Sequence, residues 1–183
     1  DPDMMNGDTI VLTGENAQHA KVLRLKAGEQ VLVCDGEGSE CVCEVDYFAG
    51  NEVNLTVKER RSASTEAAVR VSIYMGFPKA DKLEHVIQKA TELGADEIIA
   101  FPAARSVSKP DEKSLKKKLE RWQKIAASAA EQSGRGRIPQ VIVLDSYGAA
   151  LERASKADQA LMFYENEHAT TLRMALESGT FQT

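Results

Sequence analysis

Between Thr9 and Lys58 apolar side chains fall on alternate positions and are broken at intervals by turn-forming residues, as half-buried strands require. Val31-Leu32-Val33-Cys34 runs into Asp35-Gly36-Glu37-Gly38, a hairpin signal, and Glu40 to Val45 alternates polar with small or apolar residues. Ala49-Gly50-Asn51 then turns the chain into a third alternation, Glu52-Val53-Asn54-Leu55-Thr56-Val57. The pattern predicts a small β-barrel or sandwich. One short helix over Gly14 to Leu25 interrupts it, where Ala17, Ala20 and Leu23 or Arg24 recur at helical spacing. Residues 59–68 are polar, small and without period, and read as a linker.

From Val69 the grammar becomes alternating strand and helix. Val69 to Met75 is a strand, and Asp81 to Gly94 a helix with Leu83, Val86, Ile87, Ala90 and Leu93 on one stripe and Gly94 as its stop. Glu97 to Phe101 is a short apolar strand, and a long helix follows from about Asp111 to Ser133, with Leu115, Leu119, Trp122, Ala126 and Ala129 on one side. Val141 to Leu144 is the next strand, Tyr147 to Ser155 a helix, Ala160 to Tyr164 a fourth strand, and Ala169 to Ser178 a last helix. Strands apolar on both faces and separated by helices imply a parallel sheet covered on both sides. Thr180 to Thr183 reads as the start of a further strand, so a fragment of a longer protein is expected.

Composition narrows the class. Of 183 residues, 43% are hydrophobic and 28% charged, which supports one or two folded domains and excludes a generally disordered chain. No apolar run approaches the roughly 20 residues of a membrane span, and Asp1-Pro2-Asp3 lacks a signal peptide's basic opening. A cytoplasmic protein without membrane contact is expected. Cys34, Cys41 and Cys43 are too few for a disulfide scaffold, and Cys41-Val42-Cys43 has neither a second pair nor a nearby histidine for a metal. Alternation turns Cys41 and Cys43 to one strand face, as small core residues.

Charge is segregated: the net is −6 over residues 1–62, +4 over 63–144 and −3 over 145–183. The basic middle could meet a phosphate backbone, although Lys116-Lys117-Lys118 alone reads as a solvated helix face. No hydrolase elbow, zinc-protease motif, P-loop or dinucleotide fingerprint is present. Gly134-Arg135-Gly136-Arg137 could instead set two guanidinium groups beside a phosphate or a base. Open α/β sheets bind ligands at the carboxyl ends of their strands, and Phe77-Pro78-Lys79 and Arg105-Ser106 leave such ends. Arg135 and Arg137 precede a strand, so topology assigns them to the opposite edge unless the long helix overshoots or a partner subunit supplies them. Glu131-Gln132 lies at the negative end of that helix with Arg135 near, either as a functional placement or as a simple salt bridge. His19, Lys21, Arg24 and Lys26 form a local positive excess in an otherwise acidic region, which suits a phosphate contact.

The ordered strings Gly76-Phe77-Pro78-Lys79-Ala80-Asp81-Lys82-Leu83-Glu84, Gln88 to Gly94, Ala104-Arg105-Ser106, Arg121 to Ala126, Ala130 to Arg135 and Pro139 resemble the RsmE family. These are bacterial 16S ribosomal RNA uridine N3-methyltransferases of the SPOUT superfamily. His19, Val22-Leu23-Arg24 and Asp35-Gly36 are similar to that family's amino-terminal RNA-binding domain. The resemblance implies a two-domain α+β protein. A PUA-like β-barrel over residues 1–62 would precede an α/β SPOUT domain over 69–183 whose last portion forms a trefoil knot, an exception to the rule against knots. It further implies S-adenosylmethionine as cofactor, 16S ribosomal RNA or the small ribosomal subunit as partner, and a homodimer that builds each site from two subunits.

Carried over, His19, Arg24, Lys26, Lys79, Arg105, Glu131, Gln132, Arg135 and Arg137 would face RNA or the subunit boundary, and Tyr164 and Glu165 would border the cofactor. No proton acceptor is identified; Arg135 is the candidate for stabilising charge on the base. The family's G-P-E-G-G loop and its L-G-x-R-I-L-R-x-E-T-A segment are absent, as is the strand expected before Asp1. A chain truncated at both ends, with an incomplete knot and no methyl transfer on its own, is therefore expected. The rival readings are a non-enzymatic RNA- or ribosome-binding module and a SPOUT methyltransferase acting on another nucleotide.

Overall fold

The amino-terminal alternation builds four antiparallel strands. In the computed structural model, which describes residues 7–79, 81–104, 106 and 112–177, these are β1 (Thr9–Leu12), β2 (Gln30–Cys34), β3 (Ser39–Ala49) and β4 (Glu52–Ser62), with helix α1 (Gly14–Val22) after β1. The sheet order is β1-β4-β3-β2. Register pairs Ile10 with Leu55 and Val45 with Leu55, so alternate residues of three strands share one face. Ile10, Cys41, Cys43, Val45, Val53 and Leu55 form its core, roofed by Ala17 and Ala20 of α1. Both cysteines are thus core residues, and burial pushes the Cys43 thiol up to about 11.

Two expectations change here. The sheet is open rather than a closed barrel among the described residues, because β1 and β2 stand at opposite edges and do not pair. β4 also runs on to Ser62, through part of the expected linker, because Arg60 and Arg61 pair across from Cys41 and Glu40 of β3. Arg61 forms an ion pair with the buried Glu40. A polar strand segment with a partner on only one side carries too little apolar signal to be seen in the sequence.

The second half holds β5 (Ser72–Gly76), α2 (Lys82–Glu92), β6 (Glu97–Phe101), α3 (Glu112–Ser133), β7 (Gln140–Val143), α4 (Tyr147–Ala154) and α5 (Leu172–Glu177). Its sheet is parallel, in the order β5-β6-β7. Ile98 and Ala100 point into a core with Leu83 and Ile87 of α2, Trp122 and Ala126 of α3, and Val141. The ring of Phe101 meets Tyr147 of α4 at 5.7 Å, so helices cover both faces, as the apolar strands predicted. Gly94 and Gly134, at φ 97° and 68°, end α2 and α3 in the left-handed conformation that favours glycine.

Ala160 to Tyr164, expected as a fourth strand, has no strand partner among the described residues and is exposed. An apolar run becomes a strand only where a sheet edge receives it. The further strand expected at Thr180 to Thr183 lies outside the described residues, and with it the segment on which the knot bears. No helix among the described residues is long and apolar enough to cross a membrane.

Candidate nucleic-acid interface

The end of α3 determines how the two halves meet. Arg135 N donates to Ala130 O at 2.9 Å and Gly134 N to Glu131 O at 3.3 Å, the paired bonds of a Schellman motif around left-handed Gly134. That turn sends Arg135 inward. Its side chain is 5% exposed, and Nη1 donates to Ala95 O and to Thr91 O, the latter among the last carbonyls of α2. A cation there opposes the negative end of the α2 dipole. Nη2 donates to Glu66 Oε2 at 2.6 Å.

Glu66 is the hub of this junction. Its other oxygen accepts the Arg137 backbone N–H at 3.0 Å. Burial opposes the charge on Glu66, but the hydrogen bonds from Arg135 and from the Arg137 and Gly136 backbones outweigh it and hold the carboxyl below its ordinary value. The hairpin tip of the amino-terminal sheet closes on the same strand of chain. Gly38 N donates to Gly136 O at 3.0 Å, Ile138 N to Gly36 O at 2.9 Å, and Arg137 Nε to Glu37 O at 3.2 Å. A Cβ on Gly136 would lie 2.1 Å from Ala63 Cβ, so the backbones meet too closely for any other residue without a shift.

This clasp lies at the amino edge of the parallel sheet, because Ala95 and Asp96 precede β6 and Gln140 opens β7. Arg137 Nη1 stands 4.0 Å from Asp96. The topological assignment of Arg135 and Arg137 to the edge opposite Lys79 holds. Arg135 is a buried clip between the two sheets rather than an open cation, and Arg137 is half-buried in the same junction.

The remaining residues fall into three places. His19 Nδ1 approaches Glu131 Oε1 at 3.2 Å, which sets α1 beside the last turn of α3, with Gln132 exposed next to it. Arg24 and Lys26 are exposed beyond α1. Arg24 has φ 57°, and the bonds Leu25 N to Ala20 O and Arg24 N to Lys21 O make it the left-handed residue of another Schellman motif, where glycine is usual. Lys79 is exposed at the carboxyl edge after β5; Tyr164 and Glu165 are exposed and outside regular structure. Arg105 lies outside the described residues. The structure thus joins His19 to Glu131 and Arg135 to Arg137, and separates both pairs from Lys79.

Sequence reasoning missed Glu66, Ala63 and the interfacial use of Gly36 to Gly38. Asp35-Gly36 was visible as a turn, since Asp35 Oδ1 accepts from the backbone N–H groups of Glu37, Gly38 and Ser39, but nothing local says what the turn touches.

At the carboxyl edge, Phe101 is nearly buried, Tyr147 half exposed and Met162 exposed, with Tyr147 Oη 3.4 Å from Met162 Sδ. The close approach of Gly76 to Ala103, where a Cβ would come within 3.1 Å of the alanine Cβ, brings the loop after β6 over the end of β5. The result is an aromatic and thioether surface at the edge where Lys79 follows β5.

One half is thus a parallel sheet with helices on both faces, and the other a small antiparallel sheet roofed by one helix. The family model for the RNA methyltransferase domain matches residues 65–182, and one for the RNA methyltransferase PUA domain matches residues 12–47; the chain belongs to the RNA methyltransferase domain family. It is 43% identical over 158 residues to the ribosomal RNA small subunit methyltransferase E of Bacillus subtilis, covering 86% of this chain and 62% of that protein. The protein of the same name from Mycobacterium tuberculosis is 36% identical over 136 residues, covering 74% of this chain and 52% of that one. A crystal structure of a ribosomal RNA small subunit methyltransferase E from Neisseria gonorrhoeae bound to S-adenosyl methionine superposes with a TM-score of 0.71 at 26% identity, covering 80% of this chain and 61% of the other. The chain therefore spans between half and two thirds of the length of these relatives.

Proposed function

We propose that the protein containing this chain is an S-adenosylmethionine-dependent methyltransferase acting on N3 of a uridine in 16S ribosomal RNA, in the cytoplasm and as a homodimer. The observation that carries the reading is the 43% identity over 158 residues to a small-subunit ribosomal RNA methyltransferase, running through both halves of the chain. The division into an RNA-binding domain over residues 1–62 and a methyltransferase domain over 69–183 belongs to the same proposal.

The carboxyl edge fits an adenosyl group, since Tyr147 and Met162 leave apolar surface open there beside the buried Phe101. Tyr164 and Glu165 would border it. When bound, the cofactor supplies an electrophilic methyl group on a sulfonium. The chain's part is to hold the uracil so that its imide proton can leave and to place cations where charge develops on the base. Lys79, exposed at that edge, is the cation of this chain best placed for it, with Arg105 following β6 in the sequence. Arg135 serves by holding the RNA-binding half in position.

Comparing 16S ribosomal RNA from cells with and without the gene tests the reading. Loss of one N3-methyluridine, seen as loss of a reverse-transcription stop, is the expected result. Loss of a different methylated nucleotide favours the second SPOUT reading, and no affinity of the intact protein for S-adenosylmethionine favours a non-enzymatic module.

Arg24 offers a further check on the amino-terminal surface. Its backbone conformation costs about 1 kcal/mol relative to glycine, so Arg24→Gly should raise the unfolding free energy by about that much while weakening 16S ribosomal RNA binding. Denaturant titration and filter binding measure the two; undiminished RNA affinity would remove Arg24 from the interface.

A further inference from the structure

Helix α3 connects the two ends of the molecule. It follows β6 and leads into β7, which is parallel to β6, so it begins at the carboxyl edge and ends at the amino edge, where Glu131 meets His19 of α1. Its buried side is Trp122, Ala126, Ala129 and Ala130, with Leu115 and Leu119 half-buried beside them. On the opposite side Lys113, Lys117, Arg121 and Lys124 stand at successive intervals of four, four and three residues, all exposed, in one row about 16 Å long. Among residues 113–124 Glu120 is the single acid.

This row works against the helix that carries it. Lys113 and Lys117 sit near the positive end of the α3 dipole, and each member of the Lys113–Lys117–Arg121 series repels the next at i,i+4. Arg121 is paired, with Glu84 of α2 at 2.7 Å. Among the described residues no ion pair engages Lys113, Lys117 or Lys124. Four aligned cations with this little internal compensation suit an external polyanion of regular charge spacing.

We propose that this row is a second RNA-binding surface, a track for the phosphodiester backbone running from the region of α1, with Arg24 and Lys26, to the carboxyl edge beside Lys79. The inference rests on the RNA methyltransferase reading and adds a surface to it. It accounts for a geometric problem that the clasp creates. The amino-terminal domain is fastened at the amino edge, while the strand ends suited to ligands lie at the other, so RNA held by that domain needs a path along the sheet. α3 is the longest helix among the described residues that spans this distance. Its cations address phosphates and carry no base preference, which leaves sequence selection to other contacts.

The test uses the intact protein with Lys113→Gln, Lys117→Gln and Lys124→Gln combined, glutamine being as good a helix former as lysine. Transcribed 16S ribosomal RNA is titrated over a range of potassium chloride concentrations, with S-adenosylmethionine affinity and thermal midpoint measured alongside. The expected result is a plot of log affinity against log salt shallower by about 2–3 units, with affinity near 0.1 M salt lowered roughly 100-fold. Cofactor affinity stays at its wild-type value, and the thermal midpoint does not fall but rises slightly as the repulsion along α3 is relieved. Unchanged slope and RNA affinity in the variant, with wild-type RNA and cofactor binding intact, overturn the track alone. Failure of the wild-type protein to bind either ligand overturns both the track and the methyltransferase reading. Lysine-dependent binding to phosphatidylglycerol vesicles with RNA affinity unchanged overturns the track in favour of a membrane surface.

Discussion

Glu66→Ala is expected to lower the unfolding free energy at neutral pH by about 3–5 kcal/mol, because it strands the buried Arg135 guanidinium. The side chains are 14% and 5% exposed, so water cannot replace the lost carboxylate well. The doubly substituted Glu66→Leu, Arg135→Leu protein should recover much of the loss, since removing both charges leaves none unpaired. The pH dependence has a definite sign. The folded carboxyl titrates below its ordinary 4.5, so its contribution is complete above that value and disappears as the pH falls through the folded one. Wild type and Glu66→Gln, compared by urea denaturation, should therefore converge in acid and diverge towards neutrality. A difference independent of pH would show that Glu66 does not stabilise the junction through its charge.

Gly136→Ala is expected to cost about 1–3 kcal/mol by overpacking. The new methyl would sit 2.1 Å from Ala63 Cβ, and Ala63 is itself tied by its N–H to Gly38 O at 2.9 Å, so neither chain can withdraw freely. Ala63→Gly in the same protein removes the clash and should restore most of the loss, apart from the added backbone freedom of a second glycine. Denaturation midpoints of the four proteins give the coupling directly. Additive effects would mean that the two backbones do not press on each other.

What was legible in the sequence was whatever repeats locally. The stripe of Leu83, Ile87 and Ala90 specified α2, and the alternation through Cys41, Cys43 and Val45 specified both a strand and the face it buries. The helix stops at Gly94 and Gly134 were visible for the same reason, since a left-handed turn demands a residue without Cβ. Strand fate at Ala160 to Tyr164 was not, because pairing depends on an edge elsewhere in the chain and not on the run itself. The same holds for Arg135. A guanidinium after a helix reads equally as a ligand contact or a structural clip, and the deciding partner, Glu66, lies 69 positions earlier in a stretch with no periodicity. Element order did assign Arg135 and Lys79 to opposite edges, short of an overshooting helix or a partner subunit, because β6 and β7 run parallel.

The bond from Arg137 to Glu37 spans 100 positions of sequence. During synthesis the first four strands emerge and can pair while α3 and β7 have yet to be made. At about 5–20 residues per second, the tip at Gly36 to Gly38 waits roughly 5–20 s for its mate. Through that interval the nascent amino-terminal half hangs untethered, its polar groups at the tip served by water, and final docking is a late event in the life of the newborn chain.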